Sequence, residues 1–254
     1  MNSTCLLSGR EGRLSRLRLN RPEVRNALSR ELCSALIEQI SKANEDPSIG
    51  AILLEGEGPV FCAGMDLKED LRDNLGTLHA ELFSLGARLT KPMLAAVQGA
   101  AIAGGLGIAL NAHVVVAAID ARFGLTETRI GLWPYAIYPS VVAAVGRRRA
   151  MELAISARIV DAETALQLGL IEHVVAPHEL HAKALELAAA LAQGSAEAVA
   201  NGLCYAHEIE GLGTAEVLQH ALRRRAQAET SADFTEGVQA FREKRAPQWP
   251  SHKF

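Results

Sequence analysis

The chain has 254 residues, of which 49% are hydrophobic and 22% are charged, and its formal net charge is −3. This length and composition support a substantial core, and they fit one large domain better than two. The slightly acidic balance provides no basic excess of the kind that nucleic acids or anionic membranes attract, so we expect neither as a partner.

The cysteine pattern and the start of the chain indicate a reducing compartment. The four cysteines lie far apart and lack the paired spacing of a metal site, so we expect free thiols and no bound metal. The first ten residues show no export signal. The longest low-charge stretch, residues 93–119, is interrupted by glycines and polar residues, which favours core segments over a membrane span. We therefore expect a cytoplasmic protein.

Strand and helix patterns alternate through the first part of the chain. A strand is predicted over Leu14–Leu19. Ser29 can cap an amphipathic helix whose apolar residues recur every three or four positions as far as Asp46. A buried parallel strand, a glycine-rich loop and a polar helical stretch are predicted next, over residues 51–56, 56–64 and 66–72.

The alternation continues through the middle of the chain and changes near residue 141. A helix is predicted over residues 77–89, and strands over residues 93–97 and 113–119. Strands that alternate with helices in this way indicate an α/β fold with a parallel sheet. Helices are predicted over residues 141–156, 162–169, 178–193, 195–208 and 212–228, so the last third is expected to be all helical. No linker composition separates them from the rest, which favours a single domain.

Residues 99–107 form a glycine-rich segment at the centre of this pattern. Its four glycines, flanked by apolar runs, indicate a backbone that passes close to a neighbour and then enters a buried helix. Its side chains cannot perform chemistry, but the N–H groups at a helix start favour a negative oxygen. The spacing matches neither GxGxxG nor a P-loop, which disfavours a dinucleotide or ATP. We interpret the segment as a candidate oxyanion hole.

Five segments carry recognisable motifs in a fixed order. They are residues 19–28 (LNRPEVRNAL), 61–67 (FCAGMDL), 99–107, 123–127 (FGLTE) and 233–245 (DFTEGVQAFREKR). Together they resemble the enoyl-CoA hydratase/isomerase (crotonase) superfamily over nearly the whole chain. Each motif alone is a weak signal, whereas five in register identify the superfamily.

The resemblance implies a fold, a substrate class and an assembly. The implied fold is a single α/β domain, residues 1–254. It has a spiral core of repeated ββα units over about residues 1–195, and a C-terminal helical region over about residues 196–254 that builds homotrimers or dimers of trimers. Members act on acyl-CoA thioesters, as in fatty acid metabolism, and stabilise an enolate at the thioester carbonyl. No tightly bound cofactor is implied, because CoA enters as part of the substrate.

The resemblance also implies catalytic positions. The backbone N–H groups of Met65 and Gly104 map onto the oxyanion hole, and Glu127 maps onto one of two acid/base carboxylates. The other carboxylate position, one helical turn after Gly104, maps onto Gly107 and therefore has no acid. Most glutamates are ordinary surface residues, and only the family register makes Glu127 a catalytic candidate.

The glycine at position 107 bears on the reaction. Hydration by a pair of carboxylates requires both, whereas one carboxylate can move a proton between two carbons. The sequence therefore favours double-bond isomerisation over hydration. Hydrolysis of a thioester or C–C bond stays open, as does a non-catalytic acyl-CoA-binding protein. Tyr135 and Tyr138 replace a glycine-rich segment of the hydratases and are expected near the acyl pocket.

The CoA-binding positions follow from the same resemblance. A CoA phosphate is expected near Arg25, and the tail residues Phe241 and Lys244 are expected at the nucleotide end. The adenine and pantetheine channel is expected along the backbones of Ala27, Ala63, Asp66, Leu67 and Lys68. Two further residues are interpreted as structural, namely His113 at a strand start and Cys62 as a buried thiol rather than a nucleophile.

Overall fold

The structure is a computed structural model that describes residues 4–69 and 75–252. The strands within these ranges are β1 (Leu6–Glu11), β2 (Leu14–Leu19), β3 (Ala51–Gly56), β4 (Met93–Val97), β5 (Ala100–Ile102), β6 (Val114–Ala118), β7 (Arg122–Gly124), β8 (Ile159–Asp161) and β9 (His173–Val175). The α-helices are α1 (Arg30–Glu45), α2 (Leu75–Phe83), α3 (Gly104–Ala109), α4 (Tyr138–Val145), α5 (Arg147–Ser156), α6 (Ala162–Leu168), α7 (Leu180–Leu191), α8 (Ala196–Glu208), α9 (Thr214–Ala228) and α10 (Ala232–Glu243).

Two sheets organise the described residues. The larger has the strand order β1-β2-β3-β4-β6-β9, and all of its pairs are parallel except β1 with β2. The smaller pairs β5 with β7 in parallel and β7 with β8 antiparallel. From β4 onward the chain enters the larger sheet, then the smaller sheet, then a helix, and it repeats this course from β6. This is the ββα repeat that the resemblance implies.

The larger sheet is buried on both faces because its central strands are apolar on both sides. In β3, Leu53 packs with Leu94 and Val116 on the face that α7 covers. Its neighbours Ile52 and Leu54 belong to the opposite cluster, which includes the apolar face of α1. Parallel strands covered on both sides have such continuous apolar runs. The prediction of a buried parallel strand over Ala51–Gly56 is confirmed.

Helix α1 begins and ends close to its predicted bounds. The Ser29 hydroxyl accepts the Leu32 N–H at 3.2 Å, which satisfies one of the unpaired donors of the first turn. At the other end, Lys91 donates from Nζ to the Ala43 carbonyl at 2.8 Å. That contact ties the end of the helix to the segment before β4.

Two predicted helical stretches differ from the structure. Helix α2 ends at Phe83, and Gly86–Arg88 forms a 3-10 turn instead of continuing it. There Gly86 lies so close to the backbone of Asn111 that an added Cβ would be 2.5 Å from its carbonyl oxygen. The polar stretch over residues 66–72 is a turn, not a helix, over residues 66–69, and residues 70–72 lie outside the described residues.

The expectation that the last third is entirely helical is wrong. Strand β9 extends the larger sheet by parallel pairing with β6, and β8, which follows residue 141, pairs with β7. Both strands have three residues, which is too short for an alternating pattern to be recognised. They are extended because they pair with β6 and β7, strands that come earlier in the chain and leave an edge open for pairing.

The C-terminal helices lie largely outside the core. Helices α8 and α9 contain no buried residue among those described, and α10 buries Asp233 and Ala240. The Asp233 carboxylate accepts hydrogen bonds from the hydroxyls of Ser195 and Ser251, each at 2.5 Å, and so joins α10 to the start of α8 and to the chain end. None of the described helices is both long and apolar enough to cross a membrane.

Candidate active site

A cavity of about 290 Å³ lies between α2, the start of α3 and the segment that follows β7. Its walls include Met65, Gly104 and Glu127, together with Ala63 and Leu67. These residues come from three separate stretches of the sequence. The fold therefore brings the predicted oxyanion donors and the predicted acid/base residue to one cavity.

The Met65 N–H is left free by the way its neighbours pair. Leu28 forms an isolated parallel bridge with Met65. Its N–H donates to the Gly64 carbonyl at 2.8 Å, and its carbonyl accepts the Asp66 N–H at 3.0 Å. Leu28 thus bonds to the residues before and after Met65, and not to Met65 itself. In a parallel bridge of this kind the N–H of the middle residue, Met65, points away from Leu28. It has no acceptor among residues 4–69 and 75–252.

The second candidate donor is the Gly104 N–H at the start of α3. The first backbone bond of the helix runs from the Gly107 N–H to the Ala103 carbonyl, so Gly104 precedes the hydrogen-bonded ladder. A Cβ on Gly104 would lie 3.6 Å from the Met65 nitrogen and only 3.0 Å from Leu28 Cδ1. Glycine thus permits the two amides to lie side by side. The Gly104 N–H also lacks an acceptor in the described part of the chain.

Glu127 is held by a 3-10 turn, Glu127–Ile130, that follows β7. Arg129 donates from Nη2 to the Ala157 carbonyl at 2.6 Å, and the Glu127 carbonyl accepts the Leu132 N–H at 3.1 Å. These bonds fix the backbone on either side of the glutamate. Its side chain is directed inward and becomes part of the cavity wall.

The Glu127 carboxyl group is buried in the cavity wall. The residue is 6% exposed, and neither carboxyl oxygen has a hydrogen-bond partner among the described residues. Burial raises the pKa of Glu127 above its ordinary value, because the charged form is poorly solvated in the cavity. An unpaired carboxylate in such a place costs folding free energy, and groups of this kind concentrate at functional sites.

Gly107 has no room for a side chain. A Cβ there would lie 2.8 Å from Ile137 Cγ1 and 2.9 Å from Phe83 Cδ1, distances that real Cβ atoms essentially never show. The apolar side chains of Phe83 and Ile137 thus occupy the space that a second carboxylate would need. Within the described ranges, Glu127 is the acidic residue of the cavity wall.

The predicted CoA residues near the cavity form a connected backbone layer. The Arg25 carbonyl accepts the Ala63 N–H at 3.0 Å, and the Arg25 side chain is exposed. Asp66 is buried and accepts from Arg21 at 3.0 Å. Burial opposes ionisation of Asp66, but hydrogen bonds from its surroundings hold its pKa below the ordinary value. Ala27 lies beside this layer, and its carbonyl accepts from Arg21 at 2.5 Å.

Leu67, Lys68 and the tail residues present exposed side chains. Leu67 is 56% exposed at the cavity, and Lys68 is exposed beside it. Phe241 is 85% exposed and lines a different cavity, of about 470 Å³, among the C-terminal helices. Lys244 ends α10 in a left-handed conformation. The structure therefore does not bring Phe241 and Lys244 to the Glu127 cavity within one chain, and their role in CoA binding stays a prediction.

The two predicted tyrosines have different positions. Tyr135 is 76% exposed and lines the cavity. The Tyr138 ring packs against Trp133 with 5.5 Å between ring centroids, and its hydroxyl is buried without a partner among the described residues. Tyr138 does not line the cavity wall in the described part of the chain.

The sequence interpretation missed His79 and Phe83, which line the cavity from α2. Their spacing of four residues within a predicted helix places them on one face, so the signal was present. The sequence pattern does not show whether that face of the helix packs in the core or lines the active site. The packing of α2 on α1 and α3 decides this orientation.

Cys62 and His113 have structural surroundings. Burial raises the pKa of Cys62 to about 12, so its thiol is a poor nucleophile. The Met93 N–H donates to His113 Nδ1 at 3.0 Å, which joins two neighbouring strands of the larger sheet. No group of three or more potential metal ligands occurs among the described residues.

Comparison with known proteins agrees with this architecture. The family model described as enoyl-CoA hydratase/isomerase matches residues 9–252. The chain is 35% identical to the enoyl-CoA hydratase EchA19 of Mycobacterium tuberculosis, over 94% of each protein. It is 34% identical to the 2,3-dehydroadipyl-CoA hydratase of Escherichia coli, over 96% of this chain and 98% of that protein. An enoyl-CoA hydratase structure from Mycobacterium smegmatis superposes with a TM-score of 0.90 at 32% identity, over 97% and 99% of the two chains. The chain therefore belongs to the enoyl-CoA hydratase/isomerase family of the crotonase superfamily.

Proposed function

We propose that the chain catalyses a double-bond shift in an enoyl-CoA thioester, with Glu127 as the proton carrier. The observation that carries this proposal is the buried carboxyl group of Glu127, in a cavity that also contains the backbone N–H groups of Met65 and Gly104; none of these three groups has a hydrogen-bond partner within the described ranges. The closed space at Gly107 supports chemistry by one carboxylate instead of two.

The reaction follows from these groups. Glu127 removes a proton from C2 of a 3-enoyl thioester, and the electrons of the C2–H bond pass to the thioester oxygen. The N–H groups of Met65 and Gly104 donate hydrogen bonds to the resulting enolate oxygen. Glu127 then returns the proton to C4, which leaves the double bond between C2 and C3. Loss of one oxyanion donor costs about 3–4 kcal/mol in well-studied enzymes, so two aligned amides lower the barrier considerably.

The remaining CoA contacts belong to the same proposal. We propose that Arg25 binds a CoA phosphate, and that the backbones of Ala27, Ala63 and residues 66–68 line the channel to the cavity. The closeness of Ala63 and Leu67 to the catalytic groups supports this path. Phe241 and Lys244 would reach the nucleotide end from a neighbouring subunit, because Phe241 lies at a separate cavity in its own chain and Lys244 ends the same helix.

The experiment compares E127Q with the wild-type protein on matched 3-enoyl-CoA and 2-enoyl-CoA thioesters. Glutamine keeps the shape of the side chain but cannot accept and return a proton, so we expect the rate of the double-bond shift to fall by at least about 100-fold. Binding of an unreactive acyl-CoA, measured by calorimetry, should change little. The matched control is D120N, because Asp120 is an exposed acid seven residues away.

Each competing function has its own outcome in the same assay. An unchanged rate in E127Q would remove Glu127 from the mechanism. Release of free CoA thiol from the wild-type protein would indicate thioester hydrolysis. Binding of acyl-CoA with no conversion of any enoyl or hydroxyacyl thioester would select a non-catalytic binding protein.

We further propose that α8, α9 and α10 form the contacts of a homotrimer or a dimer of trimers. Leu218 and Leu222 support this, since they lie one turn apart on α9 and are 60% and 61% exposed. Sedimentation velocity should give a mass of three or six chains. L222E should lower that mass and Q219E, a charge-matched control on the same helix, should not. A monomeric wild-type protein would contradict the assembly.

A further inference from the structure

The catalytic cavity is closed at its inner end, beside α3. The Cζ atom of Phe83 is 3.3 Å from where a Cβ on Gly104 would be, and its Cδ1 and Cε1 atoms are 2.9 Å from where a Cβ on Gly107 would be. The Phe83 ring thus lies across the first turn of α3, and Ile137 packs at the same place. Both side chains are buried. In the described part of the chain, they block a path along α3 into the core.

The outer wall of the cavity carries exposed apolar side chains. Ile130, Leu132 and Tyr135 all line the cavity, and all three are exposed. Single exposed apolar residues are ordinary on a protein surface, whereas three of them within six positions at one cavity form a patch that favours an apolar ligand. We call these three residues the apolar rim. Leu67 is also exposed at the cavity, but it belongs to the predicted CoA channel.

The backbone holds the apolar rim in a fixed position relative to Glu127. The Leu132 N–H donates to the Glu127 carbonyl at 3.1 Å, so the rim begins directly beside the catalytic residue. Gly131 has φ 77°, a conformation that glycine adopts without strain, and it turns the chain between the two. The Tyr135 N–H donates to the Trp133 carbonyl at 2.8 Å. The rim is therefore a preformed surface, as is usual for small-molecule sites.

We propose that the apolar rim binds the alkyl tail of the substrate beyond C4, and that Ile130 and Leu132 select longer unbranched acyl chains over short ones. This inference rests on the proposed function, because it places the thioester oxygen at the Met65 and Gly104 N–H groups. Carbons C2 to C4 then lie at Glu127, and the next carbons meet the residues that follow it. Since the inner end is closed, the tail runs outward along the rim.

The size of the chain-length preference follows from the shape of the rim. A methylene group that becomes fully buried raises affinity about fourfold. An alkyl tail on an exposed rim is covered on one side, so each methylene group should raise affinity about twofold. Four further methylene groups, the difference between a hexanoyl and a decanoyl chain, should therefore tighten binding about 16-fold. A polar rim would offer no apolar surface to the tail and should remove most of this gain.

The test measures the binding of hexanoyl-CoA and decanoyl-CoA to the intact protein by calorimetry. These saturated thioesters have no double bond to shift, so the result does not depend on proton transfer. The double variant I130T/L132N replaces the two rim residues by polar residues of similar shape at exposed positions. The matched control is I155T/L166N, because Ile155 and Leu166 are exposed and outside the described cavity wall. Both dissociation constants come from one preparation, and their ratio is compared between variants.

We expect the wild type and I155T/L166N to bind decanoyl-CoA about 16-fold more tightly than hexanoyl-CoA, and I130T/L132N to bind it no more than about twofold more tightly. Equal binding of both thioesters by the wild type, or an unchanged ratio in I130T/L132N, would overturn the role of the rim. A lower mass of I130T/L132N in sedimentation would also overturn it, by showing that the rim is a subunit contact. Failure of the proposed function is a different result, namely undiminished isomerisation by E127Q.

Discussion

Substitution of Gly107 by alanine tests the closed space that makes this a one-carboxylate site. Position 107 lies inside α3, where Gly to Ala normally stabilises a helix by about 1 kcal/mol. Here the added methyl group would lie 2.8 Å from Ile137 and 2.9 Å from the Phe83 ring. Both side chains are buried, at 5% and 6% exposure, so they can yield only by shifting into the cavity whose wall they form. Overpacking of this kind costs about 1–3 kcal/mol. The net expectation for G107A is a destabilisation of up to about 2 kcal/mol, which is about 1–3 kcal/mol below the gain that the helix alone would give.

Urea unfolding of four variants measures this prediction. G202A is the matched control, because Gly202 is inside α8 and an added Cβ would meet nothing within 4 Å. It should gain about 1 kcal/mol. F83L should relieve the clash, so that G107A costs less in the F83L background than in the wild type. A G107A protein as stable as G202A would refute the closed space and reopen the position to a second group or a water molecule.

Further predictions concern Glu127, Ser29 and Cys62. Isomerisation needs the Glu127 carboxylate, so the acidic limb of its pH–rate profile should lie above that of an ordinary glutamate. The raised pKa of Glu127 means that the folded protein loses stability as the pH rises and this carboxyl group ionises. E127Q should therefore be more stable than the wild type in urea at neutral pH. A less stable E127Q would contradict the argument that burial raises this pKa. S29A should lose about 1 kcal/mol because it removes the cap of α1, whereas S34A, at an exposed position of the same helix, should lose nothing measurable in the same unfolding assay. Iodoacetamide should leave Cys62 unmodified in the native protein, as found by mass spectrometry, while the half-exposed Cys204 reacts; rapid native labelling of Cys62 would show that its surroundings are open.

The long elements of the fold could be predicted from the sequence because their apolar residues follow clear patterns. The cap at Ser29 and the regular apolar spacing after it fix α1, and the β-branched run before residue 119 fixes β6. Strands β8 and β9 were missed because a strand of three residues is too short to show an alternating apolar and polar pattern. Their extended conformation depends on pairing with β7 and β6. Tertiary context therefore decided the elements that local pattern could not.

The candidate site was readable only in part. The positions of Met65, Gly104 and Glu127 followed from motifs in register, and the missing acid at Gly107 was visible directly. That Phe83 and Ile137 fill the space could not be read, because it depends on how α2 and the segment before α4 pack on α3. The placement of His79 in the cavity wall depends on the same packing.

Transfer of an isotope label tests the role of Glu127 most directly. The measurement follows a single turnover of 3-hexenoyl-CoA that carries deuterium at C2, with the product analysed by mass spectrometry and NMR. If one buried carboxyl group removes the proton at C2 and delivers it to C4, deuterium should appear at C4 above the solvent level. E127Q should show neither turnover nor transfer. Hydrogen at C4 that comes from solvent alone, or label transfer that persists in E127Q, would contradict the proposal that Glu127 carries the proton.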